Sequence, residues 1–282
     1  MKINYKIIAI IPVILTIISG IFVYAHGLKE SIDVSGGTEI TITAPNNVDI
    51  NKLKEILPTG VEVKKSQSVS GTFIIIKAGK DVDTSQIDTA LKNFFNVDDL
   101  NKLQYSQKQI GASLSEKFWK DGFKAVGFAF IFMAIVVYLV FRTPVPSAAV
   151  ILAAVSDIVL AIGGMSLFGI PVSTATVAAL LMLIGYSVDT DIMLTTRVLK
   201  RRAGSLDERI NESMKTGMTM SITTIVAMFV LYLVVSYIVP AASLLKDISA
   251  VILFGLIADL MTTWMTNVGI LRYYVSEYKG RK

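Results

Sequence analysis

Apolar positions along this chain fall into two regimes. Around residues 6–26, 120–141, 147–168, 172–194, 217–239 and 248–272 they run nearly unbroken, whereas residues 28–118 alternate apolar and polar at short period. A hydrocarbon core about 30 Å thick takes roughly 20 residues of apolar helix, so the first regime predicts six membrane spans. The first span could be taken for a signal peptide. Its apolar run over 7–24 exceeds the usual h-region of about 7–15 residues, and no small-x-small cleavage site follows, so it reads as a retained span.

The second regime reads as a small α+β module. GGTEITITA (36–44) has strand periodicity, and VDINKLKEIL (48–57) places Ile50, Leu53, Ile56 and Leu57 on one helical face. GVEVKKSQSV (60–69) and GTFIIIKA (71–78) read as strands joined at a Gly turn. TSQIDTALKNFF (84–95) is a second helix with Thr84 as its N-cap, and LQYSQKQIG (103–111) is a last short strand. Strand, helix, strand, strand, helix, strand is the order of a split βαβ, ferredoxin-like sheet. That fold hosts many functions, and nothing in this stretch looks catalytic. The predicted organisation is a first helix (1–27), an α+β domain (28–118) and a five-helix bundle (119–282).

Composition agrees with a membrane protein: 53% of the 282 residues are hydrophobic and only 17% charged, against about 25% charged in globular domains. The formal charge is +5, and its distribution matters more than its sum. Lys2 and Lys6, then Arg142, then Arg197, Lys200, Arg201, Arg202 and Arg209, then Arg272, Lys279, Arg281 and Lys282 all fall on one side of the membrane. The alternate loops, 169–171 and 236–247, carry only Lys246. By the positive-inside rule both termini are cytoplasmic and 28–118 lies outside. The basic stretch 197–213, mixing bases with Leu, Ile and Met, reads as an interfacial amphipathic helix held by anionic lipid.

Absences narrow the chemistry. No cysteine excludes disulfides and thiolate metal sites, a lone histidine (His26) excludes a multi-histidine metal centre, and neither GxxxxGK[ST] nor GxGxxG occurs. Nothing recommends a cofactor, a nucleic-acid partner or an enzymatic role. His26 falls at the outer end of the first span and reads as interfacial.

The candidate chemistry is instead the acids inside the spans. Asp157 and Asp259 each lie about 11 residues into a span, roughly 16 Å deep at 1.5 Å per residue, which is the midplane. Asp189, about 8 residues before Arg197, lies some 12 Å in, and Asp191 is shallower, where hydration near Arg197 is the ordinary reading. Two residues apart, Asp189 and Asp191 point about 200° apart, so one of them at most shares a partner with Asp157. Asp costs roughly 2.5–3.5 kcal/mol at a span centre, which makes such acids functional candidates, with neutral acids bonded to Ser or Thr as the structural alternative. Small residues (Ala148, Ala149, Ala153, Ala154, Ala161, Gly163 and Gly164 on the third span; Ala175, Ala178, Ala179 and Gly185 on the fourth) allow close helix approach. Ser173, Thr174, Thr176, Thr195 and Thr196, with Ser221, Thr223 and Thr224 on the fifth span, extend a polar seam.

Several stretches together resemble the SecD/SecF protein-export family, in its archaeal SecF branch. SIDVSGGTEI, with Asp33, Gly36 and Gly37, is similar to the signature after the family's first span. IGASL (110–114) before a span ending VFR, SDIVLAIGGMSLFGIP (156–171) around Asp157, IGYSVDTDIMLTTR (184–197) ending at Arg197, and TMSITT (219–224) match later family elements. Two departures stand out. Bacterial members carry Asn-Asp one residue after GYS, where this chain has Asp189-Thr190-Asp191, and they carry an Arg before the Ser/Thr element, where Lys215 is the nearby base here.

The resemblance implies an RND-like half-bundle of six spans that pairs with a SecD-like subunit beside the Sec translocon and uses the proton-motive force on a translocating polypeptide. Together with the depth of Asp259, it nominates Asp157, Asp189, Asp191, Asp259, Arg197 and Lys215 as proton-coupling residues, Asp189 and Asp191 by neighbourhood to the family motif. An RND-type half-transporter of small molecules or lipids and a passive translocon assembly factor are the competing expectations.

Overall fold

The computed structural model describes residues 5–45, 47–68, 71–201, 203–239 and 242–278. The first helix, α1 (Tyr5–His26), leads through a short turn of helix, α2 (Ile32–Ser35), into the α+β region. There β1 (Gly37–Ala44), α3 (Ile50–Ile56), β2 (Val61–Ser68), β3 (Gly71–Ala78), α4 (Thr84–Phe95) and β4 (Ser106–Ile110) follow in the expected order. The strands pair antiparallel in the order β2-β3-β1-β4, with Ile40 opposite Ile76 and Val63 opposite Ile76.

One face of the sheet is dry. Ile40, Ile42, Ile74 and Ile76 alternate inward along β1 and β3 and meet Leu53, Ile87 and Leu91 from α3 and α4. Each such buried side chain contributes about 1.5–3 kcal/mol. Two local expectations are corrected. Ile56 is 47% exposed, because α3 ends there and Leu57 turns in at its C-cap instead. The N-cap of α4 is Asp83, not Thr84: its carboxylate accepts from the Ser85 N–H at 2.9 Å, the stronger capping acceptor one residue earlier. Gly37 has φ +135, and a Cβ there would strike the carbonyl of Ala78 on β3, so the signature turn is fixed by strand packing. The Asp33 side chain lies outside the described residues.

Tyr105, just before β4, donates its hydroxyl to Asp88 of α4 at 2.8 Å. Burial, then the Asp88 hydrogen bond and charge, hold this phenol above its ordinary range. The folded state therefore favours the protonated form, and the stability so gained is present below about pH 10 and lost as pH rises further. Tyr105→Phe is expected to lose less stability than the wild type between neutral and strongly alkaline pH, read as the denaturant midpoint by circular dichroism. An equal loss in both proteins would rule the linkage out.

Among the described residues, five helices are long and apolar enough to cross a membrane: α1, α5 (Ala112–Phe141), α6 (Pro144–Phe168), α7 (Thr174–Lys200) and α8 (Leu206–Tyr237). The sixth predicted span is a rod built from α9 (Ser243–Met261), a π-helical segment (Thr262–Asn267), α10 (Val268–Tyr273) and a last π turn (Tyr274–Tyr278). Lys246 and Asp247 lie near its start, and Asp259 lies further along it. The bundle core is a layer of Val, Ile, Leu, Ala and Met from α5, α6, α7 and α9, and Val34 of α2 is buried in it.

Small residues set the helix spacing. A Cβ on Gly163 would strike Ser19 of α1, one on Gly164 would meet Phe254 of α9, and one on Gly255 would strike Leu183 of α7. Gly185 is different: nothing lies within 4 Å of its Cβ position, and it faces outward.

The basic stretch 197–213 also departs from expectation. No separate interfacial helix occupies 197–213 among the described residues, because α7 runs on to Lys200 and α8 begins at Leu206, where Ser205 and Glu208 close a capping box. Arg209 donates to the carbonyls of Val198 and Arg201, Lys200 to that of Val140, and Arg201 pairs with Glu212. Arg209 and Lys200 thus bind the C-terminal ends of α7 and α5, the favourable place for positive charge.

At the end of the bundle next to the sheet, the chain after α1 is strapped to the loop between α6 and α7. The Ser31 N–H donates to the Val172 carbonyl at 2.9 Å and the Val172 N–H to the Lys29 carbonyl at 2.8 Å. Ser166 adds a bond to the Gly27 carbonyl at 2.7 Å. The sheet thus enters directly from the end of the helix that bears Asp157.

Candidate functional site

Inward positions of α7 recur every four residues at Ser187, Asp191 and Thr195, all fully buried. This stripe faces α6 and the α9–α10 rod, and the buried acids meet there. Asp157 of α6 accepts from Ser187 at 2.6 Å on one oxygen and from Thr262 at 2.6 Å on the other. Asp191 accepts on a single oxygen from Thr263 at 2.9 Å and from the Asn267 amide at 2.6 Å. Asp259, four residues before Thr263, sits 3.1 Å from that same hydroxyl. All three carboxyls are 0% exposed, and among the described residues none forms a salt bridge.

The proton count at Thr263 is informative. A hydroxyl has one hydrogen to give, yet Thr263 lies within hydrogen-bond distance of both Asp191 and Asp259. Both contacts are satisfied together only when one of the two carboxyls is protonated and donates to the Thr263 oxygen. Electrostatics points the same way, since like charges in a low-dielectric interior with no counter-ion repel strongly. Asp191 Oδ2, Asp259 Oδ2, Asn267 Oδ1 and Thr195 Oγ1 are buried without a partner among the described residues, so the network retains spare acceptor capacity.

The π segment supplies half of this site. Thr262, Thr263, Thr266 and Asn267 are all buried within it, Thr266 bonding to the Ala9 carbonyl of α1 at 2.9 Å. An i→i+5 segment widens the helix locally, and such segments recur at functional sites.

The candidates separate clearly. Asp157, Asp191 and Asp259 come together. Asp191 corrects the expectation of a hydrated interfacial acid: α7 continues well past it and the rod covers it. Asp189 is exposed on the opposite side of α7, one turn from Gly185 and two from Met182. Arg197 donates to the Glu212 carbonyl and to Thr216, both at 3.0 Å, tying α7 to α8 rather than meeting the acids. Lys215 is exposed.

The expected polar seam is also redistributed. Ser173 and Thr176 close the N-terminus of α7, and Thr223 and Thr224 donate back to their own helix. Ser187, Thr262, Thr263 and Asn267, which sequence reading did not single out, are the residues that touch the acids. The available signal was a four-residue spacing to Asp191 and to Asp259. His26 stacks on Phe22 with ring centroids 4.2 Å apart and remains exposed.

Comparison with known proteins places this arrangement. The family described as Protein export membrane protein SecD/SecF, C-terminal, matches residues 89–277. The protein-export membrane protein SecF of Methanocaldococcus jannaschii is 54% identical over 279 residues, covering 99% of each chain. That of Pyrococcus furiosus is 40% identical over 284 residues, covering 99% of this chain and 92% of its own. Among solved structures, SecDF from Thermus thermophilus, a translocon-associated membrane protein, superposes with a TM-score of 0.73 at 22% identity. The match takes in 96% of this chain and 38% of that longer one. A heavy metal efflux pump shares the fold more distantly, with a TM-score of 0.50 at 16% identity over 79% of this chain and 23% of its own. This chain, a multi-pass membrane protein, belongs to the SecD/SecF family of protein-export membrane proteins, in the branch of the archaeal SecF proteins.

Proposed function

We propose that this chain is a subunit of a Sec-type export machine in the cytoplasmic membrane, pairing with a SecD-like subunit beside the translocon and coupling proton movement to the passage of a secreted polypeptide. The observation that carries the reading is the cluster of Asp157, Asp191 and Asp259, buried with hydroxyl and amide partners alone. Such a cluster changes its hydrogen bonds whenever it gains or loses a proton, and α6, α7 and the π segment each contribute a side chain to it. A proton event is thereby tied to the relative position of three helices. The α6 end is strapped to the entry of the α+β domain, which gives the motion a route outward.

Asp189 supports the partner. A carboxyl on the outward face of a span needs polar company, and Gly185 beside it leaves room for a close helix. A second half-bundle seated on this face of α7 meets both needs. In the same reading both termini are cytoplasmic, residues 28–118 stand outside, and the exposed bases Lys200 and Arg201 meet anionic lipid headgroups.

The chain has no native cysteine, so Gly185→Cys is a clean reporter. It is expected to cross-link to a cysteine on the SecD-like subunit. In the same cells, depletion of this chain is expected to slow precursor maturation and abolish its sensitivity to a protonophore. Unchanged maturation and unchanged protonophore response after depletion would defeat the proposal. A cross-link with normal export would favour the passive assembly role.

A further inference from the structure

Outside the membrane, the face of the sheet not covered by α3 and α4 looks toward the outer end of the bundle, and the two enclose a cavity of about 550 Å³. This is within the range of binding pockets, roughly 300–1,000 Å³. The bundle contributes an aromatic wall, Phe168, Phe229, Tyr232 and Phe254, with Phe168 and Phe254 stacked at 5.0 Å. The sheet contributes Ile75 and the pair Lys77–Glu39 at 3.3 Å. Lys246 lies 5.5 Å over the Tyr232 ring, with Asp247 beside it. The charges of Lys77, Lys246 and Lys64 all act on the Asp247 carboxyl.

Two features define what fits. The first is charge: Lys77 is answered by Glu39, and Asp247 stands among Lys77, Lys246 and Lys64. With four lysines (Lys64, Lys65, Lys77 and Lys246) and two acids (Glu39 and Asp247) in its lining, the cavity suits a segment that bears both signs with acids in excess. The second is backbone. β2 is an edge strand, pairing with β3 on one side and with no strand on the other among the described residues, and its Lys64, Lys65 and Ser66 line the cavity. An open strand edge is a template for one more strand. Its lysines disfavour pairing with another copy of the same basic edge while remaining compatible with a segment that carries acids.

We infer that this cavity binds an extended segment of polypeptide that adds to the free edge of β2 and turns alternate side chains toward the aromatic wall. Main-chain ladder bonds would supply affinity independent of sequence, and the wall would favour apolar or aromatic side chains at every second position. Its occupant is a chain in transit only insofar as the export reading above holds. Sequence-independent main-chain capture beside the outer membrane surface suits a machine that handles many different unfolded chains.

The test places a photo-reactive benzophenone side chain at Ser66, at Phe229 or, as control, at Gln107 on β4, the far edge of the sheet. The full chain is used in cells whose secretory precursor is stalled in the translocon by a folded C-terminal domain. Adducts with the precursor are expected at Ser66 and Phe229, several-fold stronger than at Gln107. Adducts of lipid mass alone, equal capture at Gln107, or no adduct would each overturn the inference. Capture at Ser66 by a chain dispensable for export would retain the peptide site and sink the export reading. Loss of export on depletion with no capture would do the reverse.

Discussion

Asp157→Asn is expected to slow the proton-driven component of precursor export by on the order of 100-fold, the low end of what a positioned proton-transferring side chain contributes. The chain should remain folded and bound to its partner. The reason lies in the two contacts of Asp157. Asn keeps the shape of Asp, its carbonyl oxygen can accept from one hydroxyl, and its amide can donate to the other. Thr262 already has the Ala258 carbonyl at 3.2 Å as a second acceptor. The structural cost is that of one rearranged hydrogen bond, about 0.5–1.5 kcal/mol. Asp157→Leu differs in kind, because it strips the Ser187 hydroxyl of its buried partner at a cost of roughly 1–3 kcal/mol. A pulse-chase of a secreted precursor, with co-purification of the partner as the folding control, separates the two. Slow export with intact assembly in the Asn variant supports proton coupling; export at the wild-type rate would make Asp157 a structural acid.

The second large effect is steric. Gly255→Val places a branched side chain where Leu183 already sits, and α7 must move away from α9 to accept it. Overpacking of this kind costs about 1–3 kcal/mol, and the displacement also separates Asp191 from Thr263 and Asn267, so stability and function are expected to fall together. Leu183→Ala alone leaves a cavity worth roughly 2–5 kcal/mol. The double variant should recover part of both losses, since each change answers the other. Thermal unfolding of the purified chain in detergent reads this directly. Strictly additive losses would mean that the glycine is not there to admit Leu183.

Much of the architecture is legible without coordinates because it rests on local rules. Six apolar stretches must become helices in lipid, where each backbone group has to be satisfied within its own segment. The alternation of Ile40, Ile42, Ile74 and Ile76 fixes which face of the strands is dry, and a one-residue slip would reverse it. Even the divergence of Asp189 and Asp191 follows from the turn angle of a helix. Which of the two points inward does not, and depth alone gave the wrong expectation for Asp191.

What the sequence by itself determined, then, is the set of elements, their order, and a shortlist of acids that are costly where they stand. The tertiary structure alone decided how those acids are answered. Ser187 and Thr262 reach Asp157 across 30 and 105 residues of chain, and Thr263 and Asn267 reach Asp191 across 72 and 76. No periodicity links such pairs, since each helix buries its own stripe by its own pattern, and the pairing is set by how glycines such as Gly164 and Gly255 let the helices approach. Arg197 and Lys215 are nominated from their place in the chain, yet α8 takes the first and solvent the second. Seryl and threonyl hydroxyls, ordinary in any membrane span, became the site together with the Asn267 amide because packing brought these donors within reach of the carboxyls.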